Sequence, residues 1–211
     1  MDYKCLFLGD EFPNIDVQTH LGDFKIYDYQ GDSWLIILSH PRDFTPVCTS
    51  ELAKVAQIIK EFEKRNTKVI ALSCDSKEDH IKWAEDISLL NETEVTFPII
   101  ADQDLSISKQ IGMYHPKSEN RNTIRTTFII DPSKKVRLMT HYPTSTGRSF
   151  AEMLRVIDSL QVTSSNSVAT PENWKKGDKC LILPTVSEEK SREIFPQGWS
   201  EIKPYMRYVD I

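Results

Sequence analysis

The pattern of apolar and polar positions predicts buried strands that alternate with amphipathic helices. Trp34–Leu38 is an uninterrupted apolar run rich in β-branched residues, which is typical of a strand buried on both faces of a sheet. Lys68–Ser73 predicts a second strand of the same kind. Between these runs, one face of a predicted helix carries apolar residues at helical spacing, namely Leu52, Val55, Ala56, Ile59 and Phe62.

The pattern continues with further helices and strands. Ser76 and Asp79 form a capping box that predicts a helix start, and Asp104–Ile111 predicts a short helix that ends at Gly112. Three more strands and one more helix are predicted at Phe97–Ile100, Ile124–Ile130, Lys135–His141 and Phe150–Leu160. The resulting order, βαβα(βα)ββα, predicts an α/β protein of thioredoxin-like fold, with a central mixed sheet flanked by helices.

A change of composition indicates a second unit. Residues 162–173 are rich in Thr, Ser, Asn, Ala and Pro and lack hydrophobic periodicity, so they predict a linker. We therefore expect a first domain over 1–162 and a small α+β extension over 163–211. So small a unit can hardly hold its own core, and we expect it to pack on the first domain or on a partner subunit. Its predicted elements are a strand at Cys180–Leu183, a helix at Glu188–Phe195 and a strand at Tyr205–Val209.

Composition and charge argue against several classes of protein. The net charge is −5, and 26 Lys and Arg are scattered among 31 Asp and Glu, so we expect no nucleic-acid partner. The longest apolar run is far shorter than the ~20 residues that cross a bilayer as a helix, so we expect no membrane association. The first dozen residues include acidic side chains and no secretory apolar run, which favours a cytoplasmic location.

The four cysteines suit neither a disulfide framework nor a metal site. Cys5, Cys48, Cys74 and Cys180 lie far apart, without a C-x-x-C motif and without clustering with the five histidines. We expect free thiols in a reducing compartment, and no metal or cofactor. Cys48 alone has neighbours that predict reactivity, and the other three are interpreted as structural.

Cys48 is predicted to lie in the first turn of a helix. If Thr45 is the N-cap and Pro46 the first helical residue, Cys48 is the third. Amides in this turn are unpaired and the helix dipole is positive there, so the thiolate form is favoured. Without such a context, a cysteine in a helix is more often a small buried apolar residue.

Residues 40–49, His-Pro-Arg-Asp-Phe-Thr-Pro-Val-Cys-Thr, resemble the signature of the peroxiredoxins, and in particular their one-cysteine, peroxiredoxin-six-type branch. The shared core is Pro41-x-x-x-Thr45-x-x-Cys48. Residues 169–174 are similar to the C-terminal extension of that branch. The resemblance implies a thiol-dependent peroxidase that reduces hydrogen peroxide and organic hydroperoxides, with a role in antioxidant defence and cell redox homeostasis. It also favours a homodimer.

The resemblance also implies roles for individual residues. Cys48 matches the peroxidatic cysteine, which peroxide oxidises to sulfenic acid, and Thr45 would bond to the thiolate and the peroxide. Pro41 would shield the site, and Arg125 would stabilise the thiolate. His40 would donate to the thiolate or orient the peroxide.

Three arginine and glutamate positions can also be considered from the residues themselves. Arg125 enters an otherwise apolar strand, where burial is costly unless the guanidinium faces an anion. Glu51 and Arg148 match partners in the family's charge network, but they could equally form a surface ion pair of little energetic value.

The branch implied by the resemblance predicts how Cys48 is reduced. A resolving cysteine in a Val-Cys-Pro context is absent from the sequence, and the apolar neighbours of Cys180 predict burial. We therefore expect an external thiol, either glutathione or a thioredoxin-like protein, as the reductant.

Members of this branch are also described as acting on phospholipids, but Gly31-Asp-Ser33-Trp-Leu35 lacks the second glycine of the corresponding motif. Tyr27 and Ser133 stand where its base and acid would fall, so we expect little or no such activity.

Two other classes of function remain open at this point. The same reactive cysteine suits a redox sensor or chaperone-like binder without fast turnover, and the fold suits a plain interaction protein. The rate of reaction with peroxide separates these classes from a peroxidase.

Overall fold

The computed structural model describes residues 6–115, 117 and 122–211. Its chain forms two compact units, the first ending at Phe150 and the second spanning Ala151–Ile211. The boundary predicted after residue 162 instead falls within a helix of the second unit. Cys5, predicted to be structural, lies outside the described residues.

The first unit contains the strand and helix order predicted from Trp34 onward, preceded by short elements that have no clear sequence signal. In chain order its elements are β1 (Asp16–Val17), β2 (Phe24–Lys25), α1 (Ile26–Gln30), β3 (Trp34–Ser39), α2 (Pro46–Glu63), β4 (Thr67–Ser73), α3 (Lys77–Asn91), β5 (Ile99–Ala101), α4 (Ser106–Ile111), β6 (Arg125–Ile130) and β7 (Val136–Tyr142).

A five-stranded mixed sheet forms the centre of this unit, in the order β5-β4-β3-β6-β7. Strands β3, β4 and β5 are parallel, whereas β6 and β7 run antiparallel to their neighbours. Strand β3 is buried along its whole length, as its apolar run predicts. The main apolar cluster of this unit takes residues from β3 and from its neighbours β4 and β6, and the predicted mixed sheet is present.

The register of the sheet determines which chain segments meet at its edge. Leu38 of β3 pairs with Thr127 of β6, so the residues that follow β3 lie beside the first residues of β6. The backbone N–H of His40 donates to the Leu72 carbonyl of β4 at 3.0 Å, and this contact extends the pairing of β3 beyond its end. The Thr123 hydroxyl, just before β6, donates to the His40 carbonyl at 2.6 Å, and this bond holds the loop from His40 into α2 beside the start of β6.

Local capping explains where α3 and α4 begin and end. Ser76 caps α3, and its hydroxyl oxygen accepts from the Asp79 amide at 3.1 Å, as the capping box predicts. Gly112 ends α4 in the left-handed conformation that favours glycine, with φ 78°.

None of the helices in the described part of the chain is long and apolar enough to cross a membrane.

The second unit contains more helices and strands than the sequence predicted. Its elements are α5 (Phe150–Ser165, which begins at the last residue of the first unit), β8 (Val168–Ala169), β9 (Cys180–Ile182), α6 (Glu188–Ile194), β10 (Ser200–Lys203) and β11 (Met206–Val209). The strands form a sheet in the order β10-β11-β9-β8.

Two expectations for this unit were wrong. The predicted linker contains the end of α5 and the whole of β8, because Val162 and Val168 both contribute to an apolar cluster. That cluster is a core within the unit, and its buried members are Val168, Trp174, Cys180, Ile182, Phe195 and Val209. Two of its six buried members, Trp174 and Phe195, are aromatic, and such side chains bury large apolar surfaces, which helps so small a unit to hold a core.

Candidate active site

Cys48 lies in the first turn of α2, at the position that the cap sequence predicts. Thr45 is the N-cap residue, with an extended backbone (φ −117°), and Pro46 is the first helical residue. The Cys48 side chain is fully buried. First-turn amides have no carbonyl partner within the helix and form its positive end, so the sulfur lies where an anion is favoured.

Arg125 places a positive charge beside this sulfur. Its Nη1 lies 3.4 Å from the Cys48 Sγ and also donates to the Glu51 Oε2 at 2.8 Å. Its Nε and Nη2 both donate to the backbone carbonyl of Thr144, at 3.1 and 2.9 Å. These contacts fix the plane of the guanidinium, so that one N–H is directed at the sulfur.

Glu51 is held between Arg125 and Arg148. The Nε and Nη2 of Arg148 donate to the two carboxylate oxygens of Glu51 at 3.0 and 2.7 Å, and the Arg148 backbone N–H donates to Oε1 at 2.7 Å. The remaining nitrogen of Arg148 donates to the Thr126 carbonyl at 3.0 Å. Both Glu51 and Arg148 are buried, so they do not form the surface ion pair that the sequence left open.

These three charged groups leave the site with an excess of positive charge. Burial by itself raises the pKa of Glu51, but the hydrogen bonds and charge of Arg148, together with the charge of Arg125, hold that pKa below its usual value. Two guanidinium groups and one carboxylate therefore carry a net charge of one. A buried excess charge is costly unless an anion lies nearby, and a thiolate at Cys48 balances it.

Thr45 and Pro41 lie in the loop before α2, but their predicted roles are not visible as contacts with the sulfur. The Thr45 hydroxyl donates to the Arg42 carbonyl at 2.9 Å. Pro41 is buried in the turn that follows β3. Phe44, just before the N-cap, adopts φ 52°, a left-handed conformation that is uncommon for an aromatic residue.

His40 belongs to a second buried network beside the same helix turn. Its Nε2 lies 2.7 Å from Oδ1 of Asp43, and the other carboxylate oxygen of Asp43 lies 2.6 Å from Nδ1 of His80. The His40 ring packs on Trp83 with centroids 5.0 Å apart, and the Trp83 indole N–H donates to Thr49 at 3.2 Å. Because Thr49 follows Cys48, Trp83 connects the histidine network to the cysteine turn.

One set of possible metal ligands accompanies this network in the part of the chain that the structure describes. His40, Asp43 and Asp75 each offer one atom within 4.8 Å of the others. Asp43 is already engaged by two histidines, while Asp75 accepts from the Asp43 amide at 2.9 Å and from the Ser73 hydroxyl at 2.7 Å. These hydrogen bonds account for the arrangement, so we assign no metal to it.

The two other described cysteines lack a comparable setting. Cys74 is half-buried just after β4, and burial together with the Asp75 charge raises the pKa of its thiol. Cys180 is buried in the core of the second unit, and burial raises the pKa of its thiol as well. All three described cysteines are free thiols.

Sequence reasoning missed four residues of the site: Asp43, His80, Trp83 and Thr144. Thr144 acts through its backbone carbonyl, so its residue type carries no signal. His80 and Trp83 lie three residues apart on the buried face of α3. A histidine on an otherwise apolar helix face was a signal that could have been pursued, although its partner is 37 positions away.

Comparisons with known protein families match both parts of the chain. The AhpC/TSA family matches residues 8–139, and the C-terminal domain of 1-Cys peroxiredoxin matches residues 159–198. A peroxiredoxin-6 of Rattus norvegicus is 48% identical over 97% of this chain and 97% of its own length. A 1-Cys peroxiredoxin of Dictyostelium discoideum is 45% identical, over 96% of this chain and 84% of its own length.

Solved structures resemble the chain over nearly its full length. A variant of peroxiredoxin 6 from Arenicola marina has a TM-score of 0.90 and 43% identity, covering 97% of this chain and 98% of that one. A yeast mitochondrial 1-Cys peroxiredoxin, studied for thiol resolution through glutathione and thioredoxin systems, has a TM-score of 0.92 and 41% identity, covering 98% and 100%. The predicted thioredoxin-like fold and family resemblance are thus confirmed. The chain belongs to the peroxiredoxin family of thiol peroxidases, in its one-cysteine branch.

Proposed function

We propose that this peroxiredoxin reduces hydrogen peroxide and organic hydroperoxides through oxidation of Cys48. The Cys48 thiolate attacks one peroxide oxygen, the O–O bond breaks, and the departing oxygen takes up a proton and leaves as water or an alcohol. The sulfur is oxidised to sulfenic acid. The observation that carries this proposal is the 3.4 Å contact between Arg125 Nη1 and the buried Cys48 sulfur.

The surrounding residues have distinct proposed roles. Arg125 stabilises the thiolate and the negative charge that develops on the peroxide oxygens. Glu51 and Arg148 position Arg125 and limit the positive charge around it. Thr45 bonds to the bound peroxide after its hydroxyl turns from the Arg42 carbonyl, and Pro41 shields the Cys48 site from water.

A pair of variants tests the peroxidase reaction. Cys48→Ser removes the nucleophile, so peroxide consumption should stop. Cys74→Ser removes a half-buried thiol that lies outside the arginine cluster, so this variant should consume peroxide at the wild-type rate. Stopped-flow measurement with hydrogen peroxide and with an organic hydroperoxide compares the two, and turnover retained by Cys48→Ser would refute the proposal.

We infer that an external thiol reduces the sulfenic acid. Burial of Cys180 in the core of its own unit supports this inference, because a buried thiol in an apolar core is poorly placed to act as an exchange partner. Peroxide-dependent oxidation of glutathione and of a thioredoxin, measured side by side, identifies the reductant. A Cys48–Cys180 disulfide, found by mass mapping without reductant after one equivalent of peroxide, would overturn it.

We also propose a homodimer in the cytoplasm. The outer edge of the seven-residue strand β7 bonds to Gly9 and Asp10 at Val136, and the rest of that edge pairs with no other described strand, so it is available to a second copy. Light scattering across a range of protein concentrations tests the dimer. Cell fractionation tests the location, and a signal confined to organelles would contradict it.

A further inference from the structure

Three buried side chains form a continuous hydrogen-bonded series beside the Cys48 turn. Asp43 lies between two imidazole rings, with His40 Nε2 at 2.7 Å from one carboxylate oxygen and His80 Nδ1 at 2.6 Å from the other. His40 and His80 have no exposed surface, and Asp43 is 4% exposed. The series links the loop after β3 to α3.

The protons of this series can be assigned from its chemistry. An ionised carboxylate only accepts hydrogen bonds, so both nitrogens that face Asp43 carry a proton. Burial by itself raises the pKa of Asp43, but the hydrogen bonds from His40 and His80 outweigh it and lower that pKa to about 2. Asp43 is therefore ionised, His40 carries a proton on Nε2, and His80 carries one on Nδ1.

The two histidines differ in the surroundings of their second ring nitrogen. His80 Nε2 lies 3.1 Å from the carbonyl oxygen of Ile100, which is also an acceptor. His80 thus faces acceptors on both sides, and this geometry fits an imidazolium that balances the charge of Asp43. His40 Nδ1, in contrast, is buried and has no hydrogen-bond partner among the described residues. Burial lowers the pKa of His40, so this ring is neutral and its Nδ1 holds a lone pair.

We propose that Asp43 and His80 are positioning residues that fix His40 as the Nε2–H tautomer, so that His40 Nδ1 accepts the O–H of the hydroperoxide at Cys48. The proposal rests on the proposed peroxidase function and decides between the two roles implied for His40. In this tautomer His40 orients the peroxide and cannot donate to the thiolate. Trp83 holds the ring in place between the series and Thr49.

The proposed step balances in atoms and electrons. The Cys48 thiolate attacks the oxygen that carries the hydrogen, forming an S–O bond as the O–O bond breaks with its electron pair going to the other oxygen. The hydroxyl proton passes through His40 Nδ1 to the departing oxygen, which leaves as water or an alcohol. Sulfur is oxidised by two electrons, the peroxide is reduced, and the sulfenate formed takes a proton from solvent.

Asp43→Leu tests the positioning role. A leucine accepts no hydrogen bond, so the His40 Nε2–H loses its partner, the ring proton moves to Nδ1 to face the Cys48 thiolate, and the acceptor for the peroxide is removed. We expect the rate constant for oxidation of Cys48 by peroxide to fall about 10- to 100-fold. Nitrogen-15 spectra of the histidine rings should show the proton of His40 moving from Nε2 to Nδ1.

Alkylation separates positioning from structural damage. Iodoacetamide needs the thiolate but no acceptor for an O–H group, so its rate at Cys48, followed by peptide mass spectrometry, should change by less than about twofold. The matched control is Asp102→Leu. Asp102 is also a buried carboxylate, but it accepts from the amides of Ile107 and Ser108 at the start of α4, and its variant should keep both rates.

His80→Gln provides a second route if Asp43→Leu does not fold. The neutral glutamine leaves Asp43 to be balanced by a second proton on His40, so both ring nitrogens become donors and the peroxide rate should fall to a similar extent. The proposal is overturned if either folded variant keeps the wild-type peroxide rate, or if alkylation falls in parallel. A wild-type protein that does not consume peroxide at Cys48 would instead refute the proposed function itself.

Discussion

Glu51 accepts from Arg148 through both of its carboxylate oxygens, and one of these oxygens also accepts from Arg125, at 2.8 Å. The carboxylate thus sets the separation of two buried cations and the direction of the one that contacts Cys48. Each arginine also donates to a backbone carbonyl, so protein contacts alone orient both guanidinium groups.

Arg125→Ala should reduce the rate of reaction with peroxide by about 10²- to 10³-fold, because one donor directed at the developing charge is lost. Stopped-flow kinetics of the reduced protein measures it. The control is Arg137→Ala. Arg125 lies beside Tyr142 at the end of β7, whereas Arg137 lies near the start of that strand and pairs with Asp131 at 3.0 Å. A rate for Arg125→Ala that matches this control would contradict the assigned role.

Glu51→Gln should lower the free energy of unfolding by about 3–5 kcal/mol, since two buried guanidinium groups would lose their shared anion. Urea denaturation measures this change. Glu61→Gln is the matched control, because Glu61 also pairs with two cations, Lys64 and Arg65, but on the surface. The free energy of unfolding of this control should hardly change. Equal losses in both variants would contradict the conclusion that burial makes the Glu51 contacts stabilising.

His20 should make stability depend on pH. Burial, helped by the neighbouring His80 charge, lowers the pKa of His20 from 6.5 to about 4. The unfolded chain therefore binds this proton at higher pH than the folded chain does. The stability associated with neutral His20 is complete above pH 6.5 and is lost as the pH falls toward 4.

His20→Gln tests this dependence while keeping an acceptor for the Ile99 amide, which donates to His20 Nδ1 at 3.2 Å. Urea denaturation at several pH values should show a smaller loss of stability between pH 6.5 and 4 than in the wild type. Contributions from other groups are shared by the two proteins and cancel. Parallel curves for the two proteins would contradict the assignment.

Cys180→Ala should leave turnover with an external thiol within about twofold of the wild type, because Cys180 packs in an apolar core and takes no part in the reaction. Coupled turnover assays with glutathione and with thioredoxin measure it. The loss of a small buried group should cost about 1 kcal/mol of stability. Turnover that depends on Cys180 would point to a resolving role.

Long apolar runs and cap sequences predicted the elements that place Cys48. Trp34–Leu38 and the Thr45–Pro46 cap correspond to β3 and to the start of α2. In contrast, β1 and β2 are two residues long, too short to show alternation. Strand β10 is exposed at all four positions, so its sequence has no apolar face.

The site was predictable where a motif is local and unpredictable where it depends on tertiary contacts. Cys48, Thr45 and Pro41 lie within eight positions of the chain, and their spacing is visible in the sequence. The bond between Asp43 and His80 joins a loop to a helix 37 positions away. Such a pairing arises from the packing of α3 on the sheet, which local patterns do not encode.

The net positive charge around Cys48 has a consequence for the catalytic cycle. In the proposed reaction a thiolate neutralises that charge before peroxide binds, whereas sulfenic acid is neutral once protonated. Each oxidation therefore leaves the first turn of α2 packed against an uncompensated cation, and the oxidised protein should be less stable than the reduced one. The same electrostatics that promote the reaction would then favour local opening of the helix turn, at the stage when a bulky thiol has to reach the buried sulfur.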